Sequence, residues 1–392
     1  MRRLRPAALL ILLLFSVAII LAPCLAAAAP APKAPARAPL ETTAVSAILM
    51  DGNGNILYEK DPHKQLPPAS VTKVMTLLLA IEAVEQGRLK LTDQINTSEN
   101  AWRQGGSQIW LEPGEAMAAK EILTAVAVVS ANDAAVALME HIYGSESAAV
   151  DAMNRRAEEL SLQNTHFINV NGLPAAGHYM SAHDTAVIAA QAVKHPLYME
   201  LCSIKEYWLR DGKNWLVNTN KLLWWYKGGD GLKTGWTEDA KYCFVGTAKR
   251  DSLRLIAVVF ATPEPRSHLR ESMKIMDWGF ANYTAVPVVD KGAVVERLRV
   301  SKGTEREVPL VAKDDLNLTL PKGQQKNLQK KVLSDGSLKA PVEAGQKCGE
   351  LVVLKDGKEI GKVDLVAEKA VAKAGFFRIM QDMIGTLFSL AK

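Results

Sequence analysis

Ser70 and Lys73 stand three residues apart. On a helix that spacing puts them on one face, so the amine can reach the hydroxyl. Such a pair suits serine acyl transfer, with a neutral lysine taking the proton that histidine takes elsewhere. Two more short elements follow in order, Ser130-Ala131-Asn132 and Lys233-Thr234-Gly235. Each is weak alone: S-x-x-K is expected by chance about once or twice in a chain this long, and K-T-G in about one chain in ten. The weight lies in the trio, its order and its surroundings.

Pro67-Pro68-Ala69 precedes Ser70, and an apolar run from Val74 to Ile81 follows Lys73. Proline fits a first helical turn, and a run apolar nearly all round predicts a helix buried in the domain centre. Ser70 then lies at the helix N-terminus, with its backbone N–H free for a ligand. Lys73 is a base only when neutral, which burial and a second cation would both favour. Lys233 is the natural second cation. It is expected to stay charged and, with Thr234, to hold a terminal carboxylate. Gly235 lets a peptide lie close and add as a further strand. Gly228 to Gly231 reads as a turn, Leu232 to Thr237 as a strand, and Tyr242–Ala248 with Leu253–Ala261 as a hairpin. The polar tetrad Ser130-Ala131-Asn132-Asp133 between two apolar helical stretches reads alone as a cap. Beside the other elements, Ser130 becomes a proton relay to the leaving amine, and Asn132 a donor to the substrate amide carbonyl.

S-x-x-K, S-D-N and K-T-G together are the signature of β-lactamases and penicillin-binding proteins; here the middle element is S-A-N. The likeness spans roughly residues 43 to 370. It includes Leu111-Glu112-Pro113-Gly114, Asn171-Gly172-Leu173, Ser181-Ala182-His183-Asp184, Asp230 to Thr237 and Asp277-Trp278-Gly279-Phe280. The chain resembles the D-alanyl-D-alanine carboxypeptidases, low-molecular-mass penicillin-binding proteins whose family includes sporulation-associated enzymes. That resemblance implies Ser70 as nucleophile, Lys73 as base, and Ser130 and Asn132 as the second element. It implies Lys233 and Thr234 as carboxylate ligands, and the N–H groups of Ser70 and Trp236 as an oxyanion hole. The implied substrates are peptidoglycan stem peptides, and β-lactams are the implied covalent inhibitors. The family usually carries an arginine about ten residues before the W-G-F end, helping to hold the carboxylate. His268 falls in that register here, and Arg266 lies two residues earlier.

Two other readings stay open on residues alone. A class A β-lactamase needs a glutamate to activate the deacylating water, and Thr165 to Leu173 offers none in that context. A penicillin-binding sensor that acylates without turnover would share all three elements.

Arg2, Arg3 and Arg5 lead into an apolar run ending near Leu21, then small residues to Ala29. This predicts a secretory signal peptide over 1–29 and a product acting outside the cytoplasmic membrane. Residues 30–40 form an Ala/Pro linker. The 392 residues carry a net charge of +5. Losing three leader arginines leaves about +2, too little for a nucleic-acid binder. Cys202, Cys243 and Cys348, left after Cys24 departs with the leader, form no disulfide framework; neither they nor the seven histidines show metal-ligand spacing. No metal or cofactor is expected.

The expected fold is α/β: an antiparallel sheet flanked by helices over 41–283, then a β-rich domain over 285–370, where short alternating runs are broken by Lys-Gly, Asp-Gly and Asp-Asp turns. Over 374–392 an amphipathic helix is expected. Phe376, Phe377, Ile379, Met380, Met383, Ile384, Leu387, Phe388 and Leu390 share one half of its wheel. Its polar residues preclude spanning, so it reads as an anchor lying on the membrane surface.

Overall fold

The computed structural model describes residues 40–334 and 336–376. The leader, the linker up to residue 39 and the amphipathic segment from residue 377 lie outside the described residues.

The fold is α/β. Its central sheet is antiparallel, in the order Ile56–Lys60, Ser46–Asp51, Leu253–Thr262, Lys241–Arg250, Gly229–Thr237. Strand Leu253–Thr262 is apolar at successive positions because both of its faces are covered. Ile256, Val258 and Phe260 join the core with Ala186 and Ala189 of helix Ala182–Ala192. Leu255, on the opposite face, packs against helix Ser267–Asn282. The K-T-G strand Gly229–Thr237 lies at the sheet edge. Its start is fixed by a bidentate ion pair, Arg254 to Asp230 at 3.0 and 2.8 Å.

Helix Lys73–Glu85 is buried from Lys73 through Ile81. It packs against helices Ala119–Val128, Asn132–Tyr143, Ala182–Ala192 and Pro196–Ser203, which is why no polar face is needed. Its beginning differs from expectation. Ala69–Thr72 forms a 3-10 turn, and the α-helix starts only at Lys73. Ala69 has φ +49, in the left-handed region, so the α-helix cannot run back through it. Ser70 therefore sits in the turn rather than in the helix proper. Two short strand pairs were also not anticipated, Gln94–Asn96 with Ala116–Ala118 and the hairpin Glu206–Leu209 with Asn214–Val217.

Beyond helix Ser267–Asn282, residues 283–373 form strands and turns among the described residues. Tyr283–Val289 pairs with Leu316–Pro321. Six further strands form a sheet in the order Leu328–Ser334, Lys347–Lys355, Lys358–Ala367, Glu307–Ala312, Val294–Ser301, Ser337–Lys339. Val308, Leu310, Val353 and Leu365 centre its own apolar cluster. This portion touches the first through Asn53 Nδ2, which donates to the Asn317 carbonyl at 2.6 Å. Backbone bonds hold the chain to it as far as Ala374, whose N–H donates to the Lys302 carbonyl.

Candidate active site

Lys73 is fully buried, and its Nζ meets three oxygens: Ser70 Oγ at 2.9 Å, Asn132 Oδ1 at 2.6 Å and the Asn171 carbonyl at 2.7 Å. Two of these, the amide and backbone carbonyls, can only accept. They take two N–H bonds, and the third tetrahedral direction of the nitrogen faces Ser70 Oγ. In the neutral amine that direction carries the lone pair, aimed at the serine proton. Burial, reinforced by the Lys233 charge, pulls the Lys73 pKa well below the usual lysine value, while Asp133 opposes the shift.

The Asn171 carbonyl is delivered by the loop Asn169–Leu173, which presses on the Ser70 turn. Gly172 has φ +85, and a Cβ there would overlap the Ala69 carbonyl and come within 2.8 Å of Thr72 Oγ1. Only glycine permits this approach. The Gly172 N–H donates to Asn169 Oδ1 at 2.7 Å. Thr72 Oγ1 contacts His178 Nε2 at 2.8 Å, and the Ile168 N–H donates to His178 Nδ1. Burial lowers the His178 pKa to about 4, so this imidazole is neutral and donates from Nε2. The opposite wall is the K-T-G strand. A Cβ on Gly235 would lie 2.9 Å from the Pro68 carbonyl oxygen and 3.2 Å from the Ser70 nitrogen. That face of Gly235 turns toward the Ser70 turn, because Gly235 alternates inward with buried Lys233.

The second element is held by Asp133. Its buried carboxylate accepts from the N–H groups of Ile109 (3.1 Å), Leu111 (3.1 Å) and Ala134 (2.8 Å), tying the loop around Gly105 to Trp110 against the helix start. Asn132 Nδ2 donates to the Gly105 carbonyl at 2.6 Å, leaving its second amide hydrogen for another acceptor. Ser130 has φ +65 and a buried Oγ with no hydrogen-bond partner among the described residues. It makes no bond to Lys73.

Lys233 Nζ is buried and donates to the Thr234 carbonyl at 3.0 Å. Burial draws its pKa down to about 7, opposed by Cys202. Thr234 Oγ1 contacts Thr219 Oγ1 at 2.9 Å, a neighbour the sequence reading missed. His268 stacks on Tyr242 at 4° and 5.5 Å, and burial lowers its pKa to about 4, so it brings no charge. The Arg266 guanidinium lies over the Trp225 ring, 5.8 Å from its centroid. Trp236 is exposed and rests against Tyr242. A cleft of about 360 Å³ opens beside Ala69, between Leu173 and His178 on one side and Thr237 and Asp239 on the other. Among the described residues no three His, Cys, Asp or Glu side chains converge as metal ligands.

The structure thus brings Ser70, Lys73, Asn132 and the inner face of the K-T-G strand together around one buried amine. Residues 31–264 match the family model described as D-alanyl-D-alanine carboxypeptidase. The chain belongs to the D-alanyl-D-alanine carboxypeptidase family. Residues 283–373 match the model for the C-terminal domain of penicillin-binding protein 5. A curated relative, the D-alanyl-D-alanine carboxypeptidase DacF of Bacillus subtilis, is 40% identical over 87% of this chain and 89% of its own length. The solved structure of penicillin-binding protein 5 from Haemophilus influenzae superposes with a TM-score of 0.72 at 34% identity, covering 86% of this chain and all of that one. Penicillin-binding protein D2 of Listeria monocytogenes, solved in its ampicillin-bound form, superposes with a TM-score of 0.57 at 29% identity over 62% of this chain and all of that one. The chain is a serine peptidase with D-alanyl-D-alanine carboxypeptidase activity in peptidoglycan metabolism, which sets aside the β-lactamase and sensor readings.

Proposed function

We propose that the chain releases the terminal D-alanine of peptidoglycan stem peptides through an acyl-enzyme on Ser70. The observation that carries this reading is the placing of Lys73 Nζ, 2.9 Å from Ser70 Oγ and held by two carbonyl acceptors. Ser70 Oγ attacks the carbonyl of the penultimate D-alanine as its proton passes to Lys73 Nζ. The Ser70 and Trp236 N–H groups hold the developing oxyanion. Lys233 and the Thr234 hydroxyl, joined by Thr219, hold the terminal carboxylate. The otherwise unpaired Ser130 hydroxyl gives its proton to the leaving amine as the C–N bond breaks and takes the one held by Lys73 in its place. Water then attacks the ester, giving a proton to Lys73, and that proton returns to Ser70 Oγ as the ester C–O bond breaks. A β-lactam presents a strained carbonyl and a carboxylate at matching positions, so it acylates the same hydroxyl. Incubation with a peptide ending in D-Ala-D-Ala should release one D-alanine per peptide consumed, and Ser70→Ala should release none. Release by that variant would refute the assignment.

The Lys233 titration sets a pH dependence. The free enzyme holds the cation below about pH 7 and loses it above, whereas a bound carboxylate pulls the proton back. KM should therefore rise as pH passes through 7, while kcat holds to higher pH. Lys233→Arg should flatten the KM limb, since guanidinium does not deprotonate. An unchanged limb in that variant would assign it to another group.

We further infer secretion by the 1–29 leader and peripheral attachment outside the cytoplasmic membrane through the segment expected over 374–392, of which Ala374 is bonded to the β-rich portion. A chain ending at Gly375 keeps the Ala374 backbone bond. It should stay active but no longer float with anionic liposomes; loss of activity would make the segment part of the folded core.

A further inference from the structure

Seven of the eight tryptophans are exposed, and five of these lie along one rim that the proposed chemistry does not use. In the hairpin Glu206–Leu209 with Asn214–Val217, one face packs Leu209 and Leu216 into the core. The other face presents Trp208 and Trp215, cross-strand partners stacked at 21° and 6.1 Å and exposed by 59% and 55%. At the hairpin tip, Arg210 donates to the carbonyls of Ile109 and Trp110 and pairs with Glu115. Trp110 is 75% exposed. At the hairpin base, Lys205 lies over exposed Trp224, as does Lys221 at 4.5 Å. Trp225 follows with Arg266 above it.

Large apolar rings left in water along a connected surface mark a binding site more often than chance. This rim is tied to two of the three sequence elements of the site. The Trp110 loop is the one Asp133 fastens to the second element, and Thr219, two residues past the hairpin, touches Thr234. We propose that the rim binds the glycan strand of peptidoglycan, a polymer of N-acetylated amino sugars, and so directs the enzyme to polymeric substrate. This rests on the carboxypeptidase reading, in which stem peptides arrive attached to that glycan. Flat indole faces stack on the C–H face of a pyranose ring. Interleaved lysines supply donors for hydroxyl and acetamido oxygens. Separate plates, several with their own cation, suit a repeating polymer better than one continuous apolar pocket would.

The alternative is that the tryptophan pair only stabilises its hairpin, as cross-strand aromatic pairs do. Two variants of the full chain separate these ideas, Trp110→Ala and the double variant Trp208→Thr with Trp215→Thr. Each is assayed on insoluble pentapeptide-rich peptidoglycan and on a soluble D-Ala-D-Ala peptide, with co-sedimentation on the insoluble polymer and flotation on phosphatidylglycerol vesicles alongside. The proposal expects KM on the polymer to rise about tenfold and co-sedimentation to fall in step. The constants for the soluble peptide should stay within twofold, and vesicle binding should be unchanged. Parallel losses on both substrates, no change on either, or loss of vesicle binding alone would overturn it. Absence of D-alanine release from the soluble peptide by the unaltered chain would instead refute the carboxypeptidase reading.

Discussion

Lys73→Arg is expected to lower kcat/KM for D-alanine release by about 10²–10⁴-fold, the range a positioned general base supplies. The substitution keeps the positive charge, and that is why it is informative. Lys73 contributes a lone pair aimed at Ser70 Oγ across 2.9 Å, and a guanidinium has none to offer at accessible pH. The same exchange at Lys233 should leave measurable activity, because a carboxylate ligand needs only a cation. Steady-state rates on a D-Ala-D-Ala peptide, with melting temperatures recorded for both variants, would test this. Equal losses in the two would contradict the division into base and anchor.

Gly172→Ala is the second large effect, although it alters no group that carries chemistry. An alanine there must adopt φ +85 and clear the Ala69 carbonyl, so the loop or the Ser70 turn has to shift. Backbone strain plus that overlap should cost on the order of 3 kcal/mol, lowering Tm by about 6–12 °C. Displacing the loop also takes the Asn171 carbonyl from Lys73, so acylation should slow at temperatures where the variant is still folded. Gly54→Ala is the control. Gly54 has φ +94 but nothing within 4 Å, so only the backbone term applies there and acylation should be unchanged. If Gly172→Ala behaved like Gly54→Ala, the loop would have no part in tuning Lys73.

Much of this was legible in the sequence, and the pattern of misses is physical. The buried helix announced itself because a run apolar on every side has nowhere to go but the centre. The K-T-G strand was marked by its glycine turn, and the second portion by alternation between turns. The hairpin Glu206–Leu209 with Asn214–Val217 was passed over because four-residue strands leave a short periodic signal; its turn residues Asp211-Gly212 were the clue available. The third partner of Lys73 could not be read from residue types, since it is a backbone carbonyl whose position depends on a glycine contact 100 residues away in sequence. The inward face of Gly235 depended on register: Lys233 had to be placed inside before the glycine two residues on could be assigned a side.

The central claim is that the hydroxyl beside the Lys73 lone pair is the one acylated. The most direct measurement is peptide mapping by mass spectrometry of the chain after brief reaction with benzylpenicillin. The account predicts a single penicilloyl adduct on the peptide containing Ser70, formed at a rate that collapses in Lys73→Arg. An adduct on Ser130 or any other residue, or one that forms as fast without the Lys73 amine, would contradict it.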